Sequence, residues 1–187
     1  MTEASPKRRL ILFAVVAVLA LAADVVSKVI VVAELPPYPQ HDPVRVLGGL
    51  FYFDQVRNSG AAFSLGAGFT IVLTLVAVGV AGLIARTASR LRSAGWAISL
   101  GLVLGGAVGN LVDRVFRSPS AFRGRVVDWI SVFGPDGRHW PIFNLADSAI
   151  VIGAILAGVQ SLRGVEFDGT RSKAPAPSRL PADQHSD

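Results

Sequence analysis

The chain has 187 residues, 51% of them apolar and 17% charged, and it contains no cysteine. A soluble domain of this size carries about a quarter charged residues, so lipid is the expected solvent, and a disulfide framework, a thiolate nucleophile and a Cys-ligated metal are excluded. All but Lys7, Lys28 and Lys173 of the 18 basic residues are Arg, scattered between apolar segments, so the net charge of +5 reads as membrane topology and not as nucleic-acid binding.

A membrane-spanning helix needs about 20 mainly apolar residues, and four stretches meet that need. After a basic N-terminus over residues 1–9, the first span covers residues 10–33 and is interrupted only by Asp24, Ser27 and Lys28. It is too long and too polar at its far end for a cleaved signal peptide. Residues 34–68 are too polar to span; Val44-Arg45-Val46 and Leu50-Phe51-Tyr52-Phe53, broken by Gly48-Gly49, have strand composition and predict a small sheet lying on the membrane. The second and third spans follow at 69–85 and 96–112. Within residues 113–141, the stretch from 116 onward alternates basic and apolar residues and includes Trp129, Phe133 and Trp140, the pattern of an amphipathic piece at the headgroup level. The fourth span covers 142–162, and residues 163–187 are rich in Pro, Ser, Ala and charge, which predicts a disordered tail. The expected fold is therefore a four-helix membrane bundle over residues 10–162 with a small extracytoplasmic β-sheet.

Four spans put both termini on one side. Lys7, Arg8 and Arg9, then Arg86, Arg90 and Arg92, then Arg163, Arg171 and Lys173 mark that side as cytoplasmic. Arg114, Arg117, Arg123, Arg125 and Arg138 would lie outside, against the rule, and so dense an exception points to function.

Ionisable residues inside a span are costly and are functional candidates by default. Asp24 lies in the outer half of the first span, Asp113 at the outer end of the third, and Asp147 near the outer end of the inward-running fourth. Asp128, in Val126-Val127-Asp128-Trp129, can join them from the connecting segment. Each has a plainer reading as well. Asp24 and Lys28 have the spacing of an intrahelical ion pair; Asn110, Asp113 and Arg114 could form a local network at a helix end; Asn144 and Asp147 could be a helix cap. Gly101, Gly105 and Gly109 have the spacing of close helix packing, and Arg57-Asn58-Ser59-Gly60 reads first as a turn. His41, His139 and His185 lack ligand spacing, so neither a metal nor a cofactor is assigned.

Two carboxyl groups in a partly dehydrated cleft repel when both are ionised, so the pair holds one proton near neutral pH. One can then deprotonate water while the other protonates a carbonyl oxygen. That is the chemistry of an aspartic peptidase.

In their order along the chain, Asp24-Val25-Val26-Ser27-Lys28, Asn58-Ser59-Gly60-Ala61-Ala62-Phe63-Ser64, Gly109-Asn110-Leu111-Val112-Asp113-Arg114, Val126-Val127-Asp128-Trp129 and Phe143-Asn144-Leu145-Ala146-Asp147-Ser148 resemble the motifs of the type II, or lipoprotein, signal peptidases. The resemblance covers roughly residues 10–162. It implies a bacterial inner-membrane aspartyl endopeptidase, a monomer embedded in membrane lipid, that cuts a lipidated prolipoprotein before its diacylglyceryl-modified cysteine. It places the catalytic pair on Asp128 and Asp147, with Asn58, Asn110, Asp113, Arg114 and Asn144 around the cleft and Asp24 and Lys28 as supports. Residues 115–125 form a longer stretch than the family pattern has, which leaves Asp113 open as an alternative member of the pair. The rival readings are a small transporter, which predicts polar residues in both halves of the bilayer, and a non-catalytic scaffold whose aspartates only cap helices.

Overall fold

The computed structural model describes residues 6–60 and 66–171. The N-terminal five residues, Ala61 to Ser64 of the second motif and the tail from residue 172 lie outside the described residues. Helix α1 (Pro6–Glu34) leads into strands β1 (Val44–Val46) and β2 (Phe51–Asn58). Helices α2 (Gly66–Thr87) and α3 (Ala94–Phe116) follow, then strand β3 (Val126–Val132) and helix α4 (Leu145–Leu162). All four helices are long and apolar enough to cross a membrane.

Local chemistry sets the ends of these elements. The run from Leu10 to Glu34 holds no proline, and Pro36 and Pro37 stop it because neither can donate the next helical hydrogen bond. Ser93 caps α3 by accepting from the Trp96 N–H, and Asn144 and Asp147 form a reciprocal capping box at the start of α4.

Helix α3 is the centre of the bundle, packed against α1, α2 and α4. Its glycines permit the contact. A Cβ on Gly105 would fall 2.5 Å from the Ala17 carbonyl oxygen of α1, and one on Gly106 would overlap the Ala146 carbonyl of α4. The packing reading of the glycine series is the one observed, since close backbone approach needs residues without a side chain. Polarity is inverted relative to a soluble protein: Asp24, Lys28, Ser99, Asp113 and Asn144 are buried, whereas Leu19, Leu75, Leu83 and Ile155 are each more than 60% exposed. Such a surface suits hydrocarbon, and the chain is a multi-pass membrane protein.

The sheet has the order β1-β2-β3 and is antiparallel throughout. Its third strand differs from the expected interfacial piece: Val126 to Val132 pairs with β2, because a buried run of β-branched residues finds its backbone partners in a neighbouring strand. Arg57 and Asn58 likewise continue β2 instead of opening a turn, and the chain bends only after them, at Gly60 with φ +86°. Two helix ends shift for related reasons. Helix α3 runs four residues beyond Val112, to Phe116, and α4 begins at Leu145 because Phe143 is held in a β-bridge with Ile130.

Candidate active site

The site is assembled where β3, the C-terminal end of α3 and the first turn of α4 meet. Three anchors set the position of Asp128. The Val127 N–H donates to Asp113 Oδ2 at 3.1 Å, fixing the start of β3 to the end of α3. The Ile130 N–H donates to the Phe143 carbonyl at 2.8 Å and the Ile130 carbonyl accepts from the Phe143 N–H at 3.0 Å, laying β3 beside the residue that precedes the α4 cap. On the other side, the register pairs Asn58 with Val126 and Val56 with Asp128. Residues two apart on facing strands share a face, so the Asn58 amide reaches Asp128 Oδ2 at 2.8 Å.

Asn144 joins the two halves. Its Nδ2 donates to Asp128 Oδ1 at 2.7 Å and to Asn110 Oδ1 at 3.1 Å, while its Oδ1 accepts from the Asp147 N–H at 2.9 Å. Asp147 in turn accepts from Asn110 Nδ2 at 2.8 Å and from the Asn144 N–H at 3.2 Å. The cap and the site are therefore the same residues, and neither reading of Asn144 and Asp147 displaces the other.

Asp24 and Lys28 do form their intrahelical ion pair, at 2.7 Å, but the pair reaches further. Lys28 Nζ also lies 2.9 Å from Asp113 Oδ2 and donates to Asn110 Oδ1 at 3.0 Å, and Asp24 Oδ1 accepts from the Ala146 N–H at 2.9 Å. One buried ammonium thus ties α1 to α3, and its partner carboxylate ties α1 to α4. Asp113 is further bound by Arg117, one helical turn on. With Lys28, Arg117 and the Val127 N–H on its two oxygens, Asp113 is fully engaged in holding elements together. The sequence offers Arg117 only as one of the dense outer arginines; its i, i+4 spacing from Asp113 is the signal that pairs the two.

Arg114 is half-buried, and the charges of Asp128, Asp147 and Asp113 all act on its guanidinium. Its Nη1 is buried without a hydrogen-bond partner among the described residues, so a donor is left over beside the two carboxyl groups. Asp128 and Asp147 both line a cavity of about 750 Å³, together with Asn58 and an apolar wall that includes Phe133, Ile142, Val151 and Ile152. Val151 and Ile152 lie more than half exposed on the outer surface of α4, so the cavity opens on the side that faces lipid. Burial is the main cause that pushes the Asp128 carboxyl up to about 7; the charge of Asp147 adds to it, while the Asn58 and Asn144 amides and Lys28 oppose it. Among the described residues, no group of three or more His, Asp or Glu side chains is arranged to hold a metal ion.

A four-helix membrane bundle with two carboxyl groups lining one lipid-facing cavity defines a class of multi-pass membrane protein with a candidate active site. Two solved bacterial membrane enzyme structures, determined by the in meso method, superpose with TM-scores of 0.67 at 27% and 26% identity, covering 80% and 86% of this chain and 91% and 92% of theirs. The signal peptidase (SPase) II family model matches residues 16–163, and the chain belongs to that family of peptidases. It is 52% identical over 165 residues to a lipoprotein signal peptidase of Rhodococcus jostii, covering 88% of this chain and 79% of the relative. It is 50% identical over 171 residues to one of Mycobacterium avium, covering 90% of each. A third, from Streptomyces coelicolor, is 48% identical over 167 residues, covering 89% of this chain and 78% of the relative.

Proposed function

We propose that this peptidase removes the signal peptide from bacterial prolipoproteins, cutting before the diacylglyceryl-modified cysteine with Asp128 and Asp147 as an aspartate dyad. The observation that carries the assignment is the shared cavity. Both carboxyl groups face it, they are bridged through Asn144, and Asp113 is committed elsewhere to Lys28 and Arg117. In the resting dyad Asp128 holds the proton, in keeping with its burial.

Hydrolysis then needs no group from outside the chain. The Asp147 carboxylate takes a proton from water as the water oxygen bonds to the scissile carbonyl carbon, and Asp128 gives its proton to the carbonyl oxygen. The resulting diol collapses as Asp128 recovers that proton, Asp147 passes its own to the departing nitrogen, and the C–N bond breaks. Asn58, Asn110 and Asn144 hold the two carboxyl groups, and the unsatisfied Arg114 donor is placed for a substrate carbonyl. Asp24 and Lys28 support the layer. A signal-peptide helix bearing acyl chains enters sideways from lipid, along the Val151 and Ile152 side of the cavity, which Asn58 of β2 also lines.

The Lys and Arg bias of the short segments supports a topology with both termini in the cytoplasm and the site near the outer face of the inner membrane. In this reading the protein works as a monomer, with a single membrane domain over residues 10–162 and the N-terminus and tail outside it.

The test is cleavage of a lipidated prolipoprotein peptide in detergent-lipid micelles by wild type, Asp113→Asn, Asp128→Asn and Asp147→Asn, each shown to be folded. Loss of cleavage in Asp128→Asn and Asp147→Asn by a factor of about 10³ or more is expected, with a smaller loss in Asp113→Asn through destabilisation. Full cleavage by Asp147→Asn would end the dyad reading, because Asn caps a helix as well as Asp does.

A further inference from the structure

On the face of β2 opposite the carboxyl groups lies a second cavity. Neighbouring residues of a strand point to opposite faces, so while Asn58 turns toward Asp128, Arg57 turns away into a hollow of about 640 Å³. Phe116, Arg117, Ser118, Pro119 and Arg125 complete its lining. The segment 117–125 is folded back on the end of α3 to make it. The Gly124 N–H donates to the Arg114 carbonyl at 2.9 Å and the Arg125 N–H to the Ser118 carbonyl at 3.1 Å, and a Cβ at Gly124 would overlap the Asp113 carbonyl. The helix-end carbonyls are thereby closed off, and Arg125 is brought to the same hollow as Arg57 and Arg117.

Charge here is unbalanced. Arg117 is paired with Asp113, but among the described residues Arg57 and Arg125 have no carboxylate within ion-pair distance. Burial is the main cause that lowers the Arg57 guanidinium from its ordinary value; the neighbouring Arg117 adds to it and the charge of Asp113 opposes it. The hollow also sits at headgroup depth: Phe116, at the end of a membrane helix, is 80% exposed, and Phe122 of the same loop is 52% exposed.

We propose that this arginine hollow binds the phosphodiester of an anionic membrane lipid, with Arg57 and Arg125 as its phosphate ligands. Guanidinium groups match phosphate oxygens in pairs. No free carboxylate lines the hollow to receive a choline or ethanolamine cation, so headgroups without a cation are selected. A bound lipid would hold the 117–125 segment and β2 together from the side away from the carboxyl groups. The site is independent of which residues cleave the peptide bond.

The experiment compares wild type, an Arg57→Gln/Arg125→Gln variant and an Arg123→Gln control in nanodiscs of equal phosphatidylglycerol and phosphatidylcholine. Lipids retained after mild extraction are counted by native mass spectrometry. Arg123 is on the same loop, is exposed and does not line the hollow, so it reports general surface charge. The tryptophan-fluorescence unfolding midpoint in pure phosphatidylcholine checks that each variant folds. The expected result is preferential retention of one phosphatidylglycerol by wild type and by Arg123→Gln. That preference falls about 25-fold in the double variant, at about fivefold per arginine. Equal retention of the two lipids by wild type, or an equal loss in Arg123→Gln, would overturn the proposal. A separate arm adds inorganic phosphate. Displacement of the retained lipid only at high millimolar phosphate fits a lipid site, and tight phosphate binding without lipid retention would assign the hollow to a soluble anion instead.

Discussion

Lys28 on α1 and Asp113 on α3 meet in a 2.9 Å ion pair in which both side chains are almost wholly excluded from solvent. The same ammonium holds Asp24 at 2.7 Å, so one cation answers two buried carboxylates, and Arg117 supplies the second positive charge. This network sits directly under Asn110, whose amide carries the link on to Asp147.

Removing the ammonium therefore leaves two carboxylates buried with too little positive charge. Lys28→Met is expected to lower stability by about 3–5 kcal/mol, the range for breaking one partner out of a buried pair. Thermal or denaturant unfolding in detergent-lipid micelles measures it. An unchanged midpoint would mean that the network carries no structural load.

Asn144 separates capping from its contact with Asp128. Asn144→Asp retains an oxygen for the Asp147 N–H but loses the amide donor to Asp128, whereas Asn144→Ala loses both. Asn144→Asp is expected to cut kcat/KM up to roughly tenfold, as for a lost hydrogen bond to an uncharged group. Asn144→Ala should add about 1 kcal/mol of lost helix stability to that defect. Cleavage rates and unfolding midpoints, taken on the same two proteins, resolve the two effects.

The position of Asp128 makes both activity and stability depend on pH. Its folded value of about 7 lies above its ordinary 3.8, so the folded protein binds the proton more tightly than the unfolded chain does. Its stabilising contribution is complete below about pH 4 and is lost as pH rises through about 7. Wild type should accordingly unfold more readily at pH 8 than at pH 5, and Asp128→Asn should flatten that slope. Cleavage follows the protonated form, so kcat/KM should fall about tenfold per pH unit above about 7. A kcat/KM that is level from pH 6 to 9 would refute the assignment of the proton.

Helix packing offers a further check. A Cβ on Gly109 would lie 2.5 Å from Asp24 Oδ2, at the point where α1 and α3 exchange charges. Gly109→Ala should cost about 1–3 kcal/mol by forcing the helices apart, measured as a lowered unfolding midpoint. Gly79→Ala, with open space around its Cβ position, should be neutral or slightly stabilising in the same assay.

The sequence by itself determined the solvent, the helices and the depth of the polar layer. Runs such as Leu10 to Ala23 and Phe69 to Ala85 admit no other use, and Asp24, Asp113 and Asp147 fall toward one end of the first, third and fourth spans. It also placed Asp128 and Asp147 in recognisable motifs, because those motifs are local. What only the tertiary structure decided is how the layer is wired. The capping box of Asn144 and the ion pair of Lys28 were legible as local interactions, but their reach to Asp128, Asn110 and Asp113 spans between 16 and 85 residues of chain. The strand character of Val126 to Val132 was hidden for the same reason. A strand owes its existence to backbone partners far away in sequence, here β2 and Phe143, whereas a membrane helix satisfies its hydrogen bonds within itself and can be read from its own residues.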